Sequence, residues 1–265
     1  MMEETIGEAL VEVLVEPDIH RKLKLAEEIC RSGNFRVKEI QGPPIPPQPG
    51  RPKDWRVLPT EELQERPSLT QADGRRALLH SVAHIELSAV ELPILAILEF
   101  PGREAEYYRD MLYIIAEEVR HTRWLIRRLE ELGEEMGSRS VHLGLWNTAR
   151  AYPDLCDRLA VVPRILEARG LDVSHKIRRQ LVGAGDRESA RILEEIYLDE
   201  IKHVALGTKW FRRVCRERGL SPISHFLSIS RKFQPSRPVA IDREGRRRAG
   251  FSEAELEFVK GKHQT

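Results

Sequence analysis

Residues 116–121 read AEEVRH and residues 198–207 read LDEIKHVALG, and the register of these two stretches against their flanks decides how the chain folds. Around the first, Met111, Ile115, Thr122 and Leu125 recur at helical spacing; Glu118 falls on that stripe, with His121 three residues further on. Around the second, Leu193, Ile196, Gly207 and Trp210 carry the stripe, and Glu200 and His203 lie on it. Two further helical patterns place a single carboxylate the same way: Glu86 among Leu79, Ala83 and Val90, and Glu167 after Cys156, Ala160 and Pro163. A buried carboxylate without partners costs on the order of a few kcal/mol even when neutralised. Four of them beside two histidines need a common explanation. A pair of metal ions supplies one, since carboxylate oxygen and imidazole nitrogen are ligands suited to iron, to manganese or to a mixed centre.

Working outward, Gly74 to Phe100 forms one long helical pattern closed by Pro101-Gly102, with Pro93 predicting a kink inside it. A second runs from about Glu104 to Glu135 and ends at Gly137, a third from about Tyr152 to Arg169 and stops at Gly170, and a fourth from about Arg187 to Arg218 is capped by Gly219. Shorter helices are expected near Ser174–Val182 and Ser221–Phe233, and two at the start of the chain, separated by Glu16-Pro17. The proline-rich stretch from Gln41 to Pro52 cannot be helix or central strand and reads as a strap over a helical body, anchored by Trp55, Val57 and Leu58. The tail from Gln234 to Gly250 reads as an irregular strap, and SEAE at Ser252 is a capping box opening a last helix.

The expected fold is therefore all-α: a four-helix bundle core over about 71–219, N-terminal helices and strap over 1–70, and a C-terminal extension over 220–265, taken as a single domain. Composition agrees. Of the 265 residues 41% are hydrophobic and 32% charged, but only 6% are aromatic, a balance suited to amphipathic helices. With 43 basic and 42 acidic side chains, no global field recruits nucleic acid or a membrane surface. Three widely spaced cysteines without a CxxC pair support neither a disulfide framework nor a thiolate zinc site, and no uninterrupted apolar run reaches membrane length, so a cytoplasmic protein is expected.

Within the bundle, Glu86 and the Glu118/His121 pair on one side repeat as Glu167 and the Glu200/His203 pair on the other, at nearly equal intervals. HIELSAVEL, AEEVRH, RILEARGLD and LDEIKHVALG together resemble the ferritin-like di-iron carboxylate superfamily, whose helices carry Glu, Glu-x-x-His, Glu, Glu-x-x-His in that order. More narrowly, DWRVLP, LLHSVAHIELSAVEL, VPRILEARGLDV and DEIKHVALGTKWF are similar to a bacterial family of unknown function, DUF455, a likeness that extends to AGFSEAELEF at the C-terminus. The resemblance implies a ferritin-like fold and a dinuclear site: Glu86, Glu118 and His121 on one ion, Glu167, Glu200 and His203 on the other, with one or two carboxylates bridging. It also implies a non-haem oxidoreductase that activates dioxygen or peroxide on an unknown small-molecule or macromolecular substrate, with a reductase as electron donor. The alternatives are iron handling or peroxide scavenging without an organic substrate, and a bundle used only for protein contacts.

Nearby residues receive plainer readings. Glu117 and Asp199 sit about 100° around their helices from the ligands, facing solvent or supporting the ligands from behind. Glu91 is an ion-pair partner, His80 and His84 packed or surface histidines, Tyr197 a core tyrosine, Cys156 a small buried residue, and Arg246, Arg247 and Arg248 a solvated basic run.

Overall fold

Where the apolar stripes predict helices, the computed structural model has them; it describes residues 6–32, 43–233 and 240–262. Among these residues there is no strand, only an isolated parallel bridge between Val57 and Val141. Two compact units divide the chain, residues 1–147 and 148–265.

The first unit opens with α1 (Ile6–Val15) and α2 (Ile19–Ser32). Pro17 separates them, and Asp18 starts the second by accepting the Arg21 backbone N–H at 2.7 Å. Then come α3 (Ala72–Glu99) and α4 (Ala105–Glu131), which pack chiefly against each other, with α2 laid on α4 and α1 on α3. Helix α3 continues unbroken through Pro93 to Glu99. It is also long and apolar enough to cross a membrane, but 72% of its apolar window is buried inside the protein, as in a core helix. Helix α4 stops earlier than the sequence suggested. Gly133 takes φ +72°, so the Glu134 N–H turns back to the Leu129 carbonyl at 3.0 Å and the helix ends at Glu131 rather than running on toward Gly137.

The proline-rich segment is a strap, as expected, from residue 43 onward; residues 41 and 42 lie outside the described set. Trp146 donates its indole N–H to the Pro47 carbonyl at 2.9 Å, and Gly50 donates to the Leu14 carbonyl at 2.7 Å. Arg51 then reaches into the core and forks onto Glu91 at 2.5 and 2.7 Å, while Lys22 from α2 meets the same carboxylate at 2.5 Å. Lys22 and Glu91 are 0% and 1% exposed, so Glu91 is an ion-pair partner in full burial. Of the three expected anchors beyond the strap, Trp55 and Leu58 are half-buried, whereas Val57 is 42% exposed. Only the Val57 backbone is held there, because Arg56 and Leu58 exchange hydrogen bonds with Val141 on either side of it.

A short α5 (Gly144–Ala151), which the sequence did not announce, leads into the second unit. There α6 (Leu155–Val161), a π-helical turn (Val162–Glu167) and α7 (Ala168–Gly183) follow one another without a gap and pack on α8 (Arg187–Glu217). The expected stop at Gly170 is thus replaced by one continuous run reaching Gly183. A mid-helix glycine costs only about 1 kcal/mol, and the packing of α7 on α8 outweighs it. Two cysteines that sequence spacing keeps apart meet here: the Cys156 and Cys215 sulfurs are 3.3 Å apart, both buried as free thiols.

Helix α9 (Pro222–Lys232) begins at Ser221, whose hydroxyl caps Ser224, and α11 (Glu253–Lys262) opens with the expected box between Ser252 and Glu255. Residues 234–239 of the expected strap lie outside the described set. Its remainder is not irregular: α10 (Arg243–Arg248) is capped by Asp242, which accepts the Gly245 N–H at 2.9 Å. Nor is the basic run wholly solvated. Arg246 is 3% exposed and forks onto Asp172 of α7 at 2.9 and 2.6 Å, while Arg247 and Arg248 remain exposed.

Removing one member of a buried charge set leaves the others desolvated and uncompensated, at a cost of about 3–5 kcal/mol. Glu91→Ala is therefore expected to destabilise the protein by roughly that amount in urea unfolding, and Glu91→Gln by less, because the amide oxygen still accepts from one cation.

Candidate metal centre

Helices α3 and α4 bring three sequence-singled residues together in the core of the first unit. Glu86 lies on the seam of Leu79, Ala83 and Val90, and Glu118 and His121 on the seam of Met111, Ile115 and Leu125, all of them buried. Each of Glu86, Glu118 and His121 presents one ligand atom, and these atoms lie within 4.8 Å of one another. His121 Nδ1 is 3.2 Å from Glu86 Oε2 and 3.4 Å from Glu118 Oε2. The exposures are 6%, 1% and 0% for Glu86, Glu118 and His121, so bulk water does not balance the charge.

Protons take up the imbalance. Burial and then the neighbouring Glu118 charge push Glu86 up to about 7. Burial works against a charged His121, but its hydrogen bonds to Glu118 and Glu86 prevail and carry it up to about 11. Two oxygen donors and one nitrogen donor at this spacing, in a dry core, form a buried cluster that could hold a metal ion, which would take the place of those protons.

In the second unit α8 pairs His203 Nδ1 with Glu200 Oε1 at 3.2 Å. His203 is fully buried, and the Glu200 side chain is 13% exposed. Glu167 ends the π-helical turn and is half-buried; among the described residues it does not close a triad with Glu200 and His203 at the spacing of the first cluster. The turn is seated on α8 by Gly207, where a Cβ would come within 2.3 Å of the Pro163 ring. Only glycine lets the turn that carries Glu167 approach the helix that carries Glu200 so closely.

The neighbouring residues hold structural partners. Glu117 pairs with Arg120 at 2.6 Å and Asp199 with Lys202 at 2.8 Å. The Tyr197 hydroxyl donates to Asp242 at 2.7 Å, an interaction sequence reading missed because Asp242 lies in the tail. His80 and His84 are packed histidines, 2% exposed each, engaged with the loop after α4. His80 Nε2 accepts the Gly137 N–H at 2.9 Å, and His84 Nε2 is 2.6 Å from the His142 carbonyl. Both histidines line a cleft of about 920 Å³ in the first unit, walled by the segments around Arg66 and Arg139. Along α3 the cleft lining ends at His84, two residues before Glu86.

The fold and the cluster define an all-helical protein with a buried carboxylate–histidine set suited to a metal ion. The chain belongs to the family described as protein of unknown function, DUF455, which matches residues 15–257. An uncharacterized protein of Haemophilus influenzae is similar to it, 33% identical over 208 residues that cover 75% of this chain and 72% of that protein. No solved structure matches the chain.

His80 supplies a pH signature. Burial lowers its pKa to about 4, while in the unfolded chain it titrates near 6.5. The folded protein therefore keeps His80 neutral where the unfolded chain already binds a proton, so its contribution is full above pH 6.5 and falls as the pH drops toward 4. Urea unfolding of wild type is expected to lose on the order of 2 kcal/mol more than His80→Gln between pH 7 and pH 4. Parallel pH profiles for the two proteins would refute it.

Proposed function

We propose that the protein is a metal-dependent oxidoreductase of ferritin-like build, in which Glu86, Glu118 and His121 hold one ion and Glu167, Glu200 and His203 the other. In this reading α3 and α4 are one half of a four-helix bundle, and the run from α6 through the π-helical turn is the other half with α8, making a single domain in which each half brings a Glu and a Glu-x-x-His pair. The observation that carries the proposal is the enclosure of Glu86, Glu118 and His121 on apolar seams, where each presents a ligand atom within 4.8 Å of the others. The repeat of the pattern in Glu167, Glu200 and His203 supports a second ion.

Iron, manganese or one of each would supply the electrons for reducing dioxygen or peroxide, chemistry no side chain provides. The chain's own groups do the rest. Glu86 and Glu118 contribute anionic oxygens, His121 gives up its proton to serve as a nitrogen donor, and the apolar residues of α3 and α4 keep water from the reacting centre. The cleft beside His80 and His84 favours a reaction on an organic substrate over storage of the metal itself. An electron-donor reductase would complete the cycle. The free thiols of Cys156 and Cys215 accord with a reducing compartment such as the cytoplasm.

Elemental analysis after anaerobic ferrous loading tests the assignment. Wild type is expected to retain two ions per chain, Glu118→Ala one, and Glu118→Ala combined with Glu200→Ala none, with helical circular dichroism largely preserved in each. Two ions retained by the double variant, or none bound by wild type, would sink the proposal.

A further inference from the structure

Cys156 and Cys215 are 59 positions apart along the chain, yet their sulfurs lie 3.3 Å from each other. Both are free thiols, and both are covered completely. A disulfide bond is about 2.05 Å long, so the two sulfurs need to approach by little more than about 1 Å to form one, a movement on the scale of a small rotation of each side chain. Cys156 is the second residue of α6 and Cys215 the third from the end of α8, which places the pair within one turn of two helix termini.

The cover beside them is open to solvent. Asp154, which caps α6, accepts the Cys156 N–H at 2.9 Å and pairs at 2.5 Å with Arg218, the residue that ends α8. These two side chains are 41% and 43% exposed, and their charges reach the thiols, those of both at Cys156 and that of Arg218 at Cys215. An ion pair so exposed holds little against opening, and terminal turns open locally far more often than the whole chain unfolds. Hydrogen peroxide, uncharged and little larger than water, enters through such openings. The two thiols are also unequal. Burial pushes both pKa values up, but Cys215 is the more readily ionised, because the Cys156 thiol donates to it and the guanidinium groups of Arg164 and Arg218 stand near it.

We propose that Cys156 and Cys215 are a site of reversible oxidation, which hydrogen peroxide closes into an intramolecular disulfide. The Cys215 thiolate attacks one peroxide oxygen; the S–O bond forms as the O–O bond breaks, and the departing hydroxide takes up the proton that the thiol gave off and leaves as water. The Cys156 sulfur then attacks the Cys215 sulfur, the S–O bond breaks, and its oxygen leaves with the Cys156 proton as a second water. Two thiols thus give up two electrons and two protons, and one peroxide becomes two waters. The bond ties the first turn of α6 to the last turn of α8. A dithiol reductant restores the pair by exchange. The site stands on the two sulfurs and their surroundings and does not depend on the metal assignment.

The test exposes the folded full chain to hydrogen peroxide, then unfolds it, alkylates it with N-ethylmaleimide and maps the peptides by mass spectrometry. Cys30 is expected to be the one cysteine alkylated, with a linked peptide pair joining Cys156 to Cys215 and the mass of two hydrogens lost, all reversed by dithiothreitol. Cys30→Ala is expected to form the bond as wild type does. Cys156→Ala is expected to stop at a sulfenic acid on Cys215 that dimedone labels, and Cys215→Ala to react with peroxide at least tenfold more slowly than Cys156→Ala. The oxidised wild type is expected to keep its helical circular dichroism and to unfold at higher urea than the reduced protein. Three alkylated cysteines after treatment of the folded chain, a bond that includes Cys30, a bond that forms only in urea, or an oxidised protein that unfolds at lower urea would each overturn the proposal. Equal reactivity of the two alanine variants would overturn the assignment of Cys215 as the attacking thiol.

Discussion

The structure depends on how charge is accommodated on apolar helix seams. Glu86 and Glu118 occupy positions where Leu or Val would pack without cost, and His121 lies fully buried beside them. Such a set survives only because helices α3 and α4, each more than 25 residues long, bury enough apolar surface on either side to hold it. The seams therefore serve two ends: they supply the driving force for packing, and they fix three ligand atoms at a spacing that a flexible loop would not maintain.

The same currency secures the extensions. Lys22 and Arg51 converge on Glu91, Arg164 on Glu255, and Arg246 on Asp172, each pair buried and hydrogen-bonded. In every case one partner lies on a long helix or the turn leading into it and the other on a peripheral segment. A strap with little apolar content of its own cannot dock by hydrophobic area. A forked arginine gives it a single register instead, since a shift of one residue would strand two charges in the core. This is why Gly50-Arg51 and the segment 242–255 are parts of the fold rather than linkers.

The seams made the long helices legible, because Met111, Ile115, Leu125 and Leu129, or Leu193, Ile196 and Trp210, repeat where period 3.6 demands. What the sequence hid was decided by contacts distant along the chain. Gly170 reads as a stop, yet α7 runs through it because α8 packs against it; Gly133 and Gly137 both take positive φ, and the backbone bond from Glu134 to Leu129 marks Gly133 as the one that ends α4. Arg246 in REGRRR has the composition of a solvated tail, and its burial follows from Asp172, 74 positions earlier. At the candidate site, Glu86, Glu118, His121, Glu200 and His203 were visible as polar breaks in apolar stripes. Arg164 offered the same signal within VVPRILEA, a lone cation in an apolar run, but a basic side chain is habitually assigned to the surface. Cys156 and Cys215 gave no signal, since their approach rests on the packing of α6 on α8.

Comparison of two carboxylates on α3 isolates what the core lacks. Glu91 and Glu86 are five residues apart, both buried, both among Leu, Val and Ala. Glu91 is met by Lys22 and Arg51, and their charges hold its pKa below the usual carboxylate range despite the burial that pushes it up. Glu86 faces the carboxylate of Glu118 and the imidazole of His121, which must take up a proton to become a cation. Burial first, and then the neighbouring Glu118, raise Glu86 to about 7. Glu91 is thus met by two fixed cations, whereas Glu86 is met by a titratable imidazole. A carboxylate–histidine cluster of this kind could hold a metal ion, whose charge would replace the protons that its members otherwise carry.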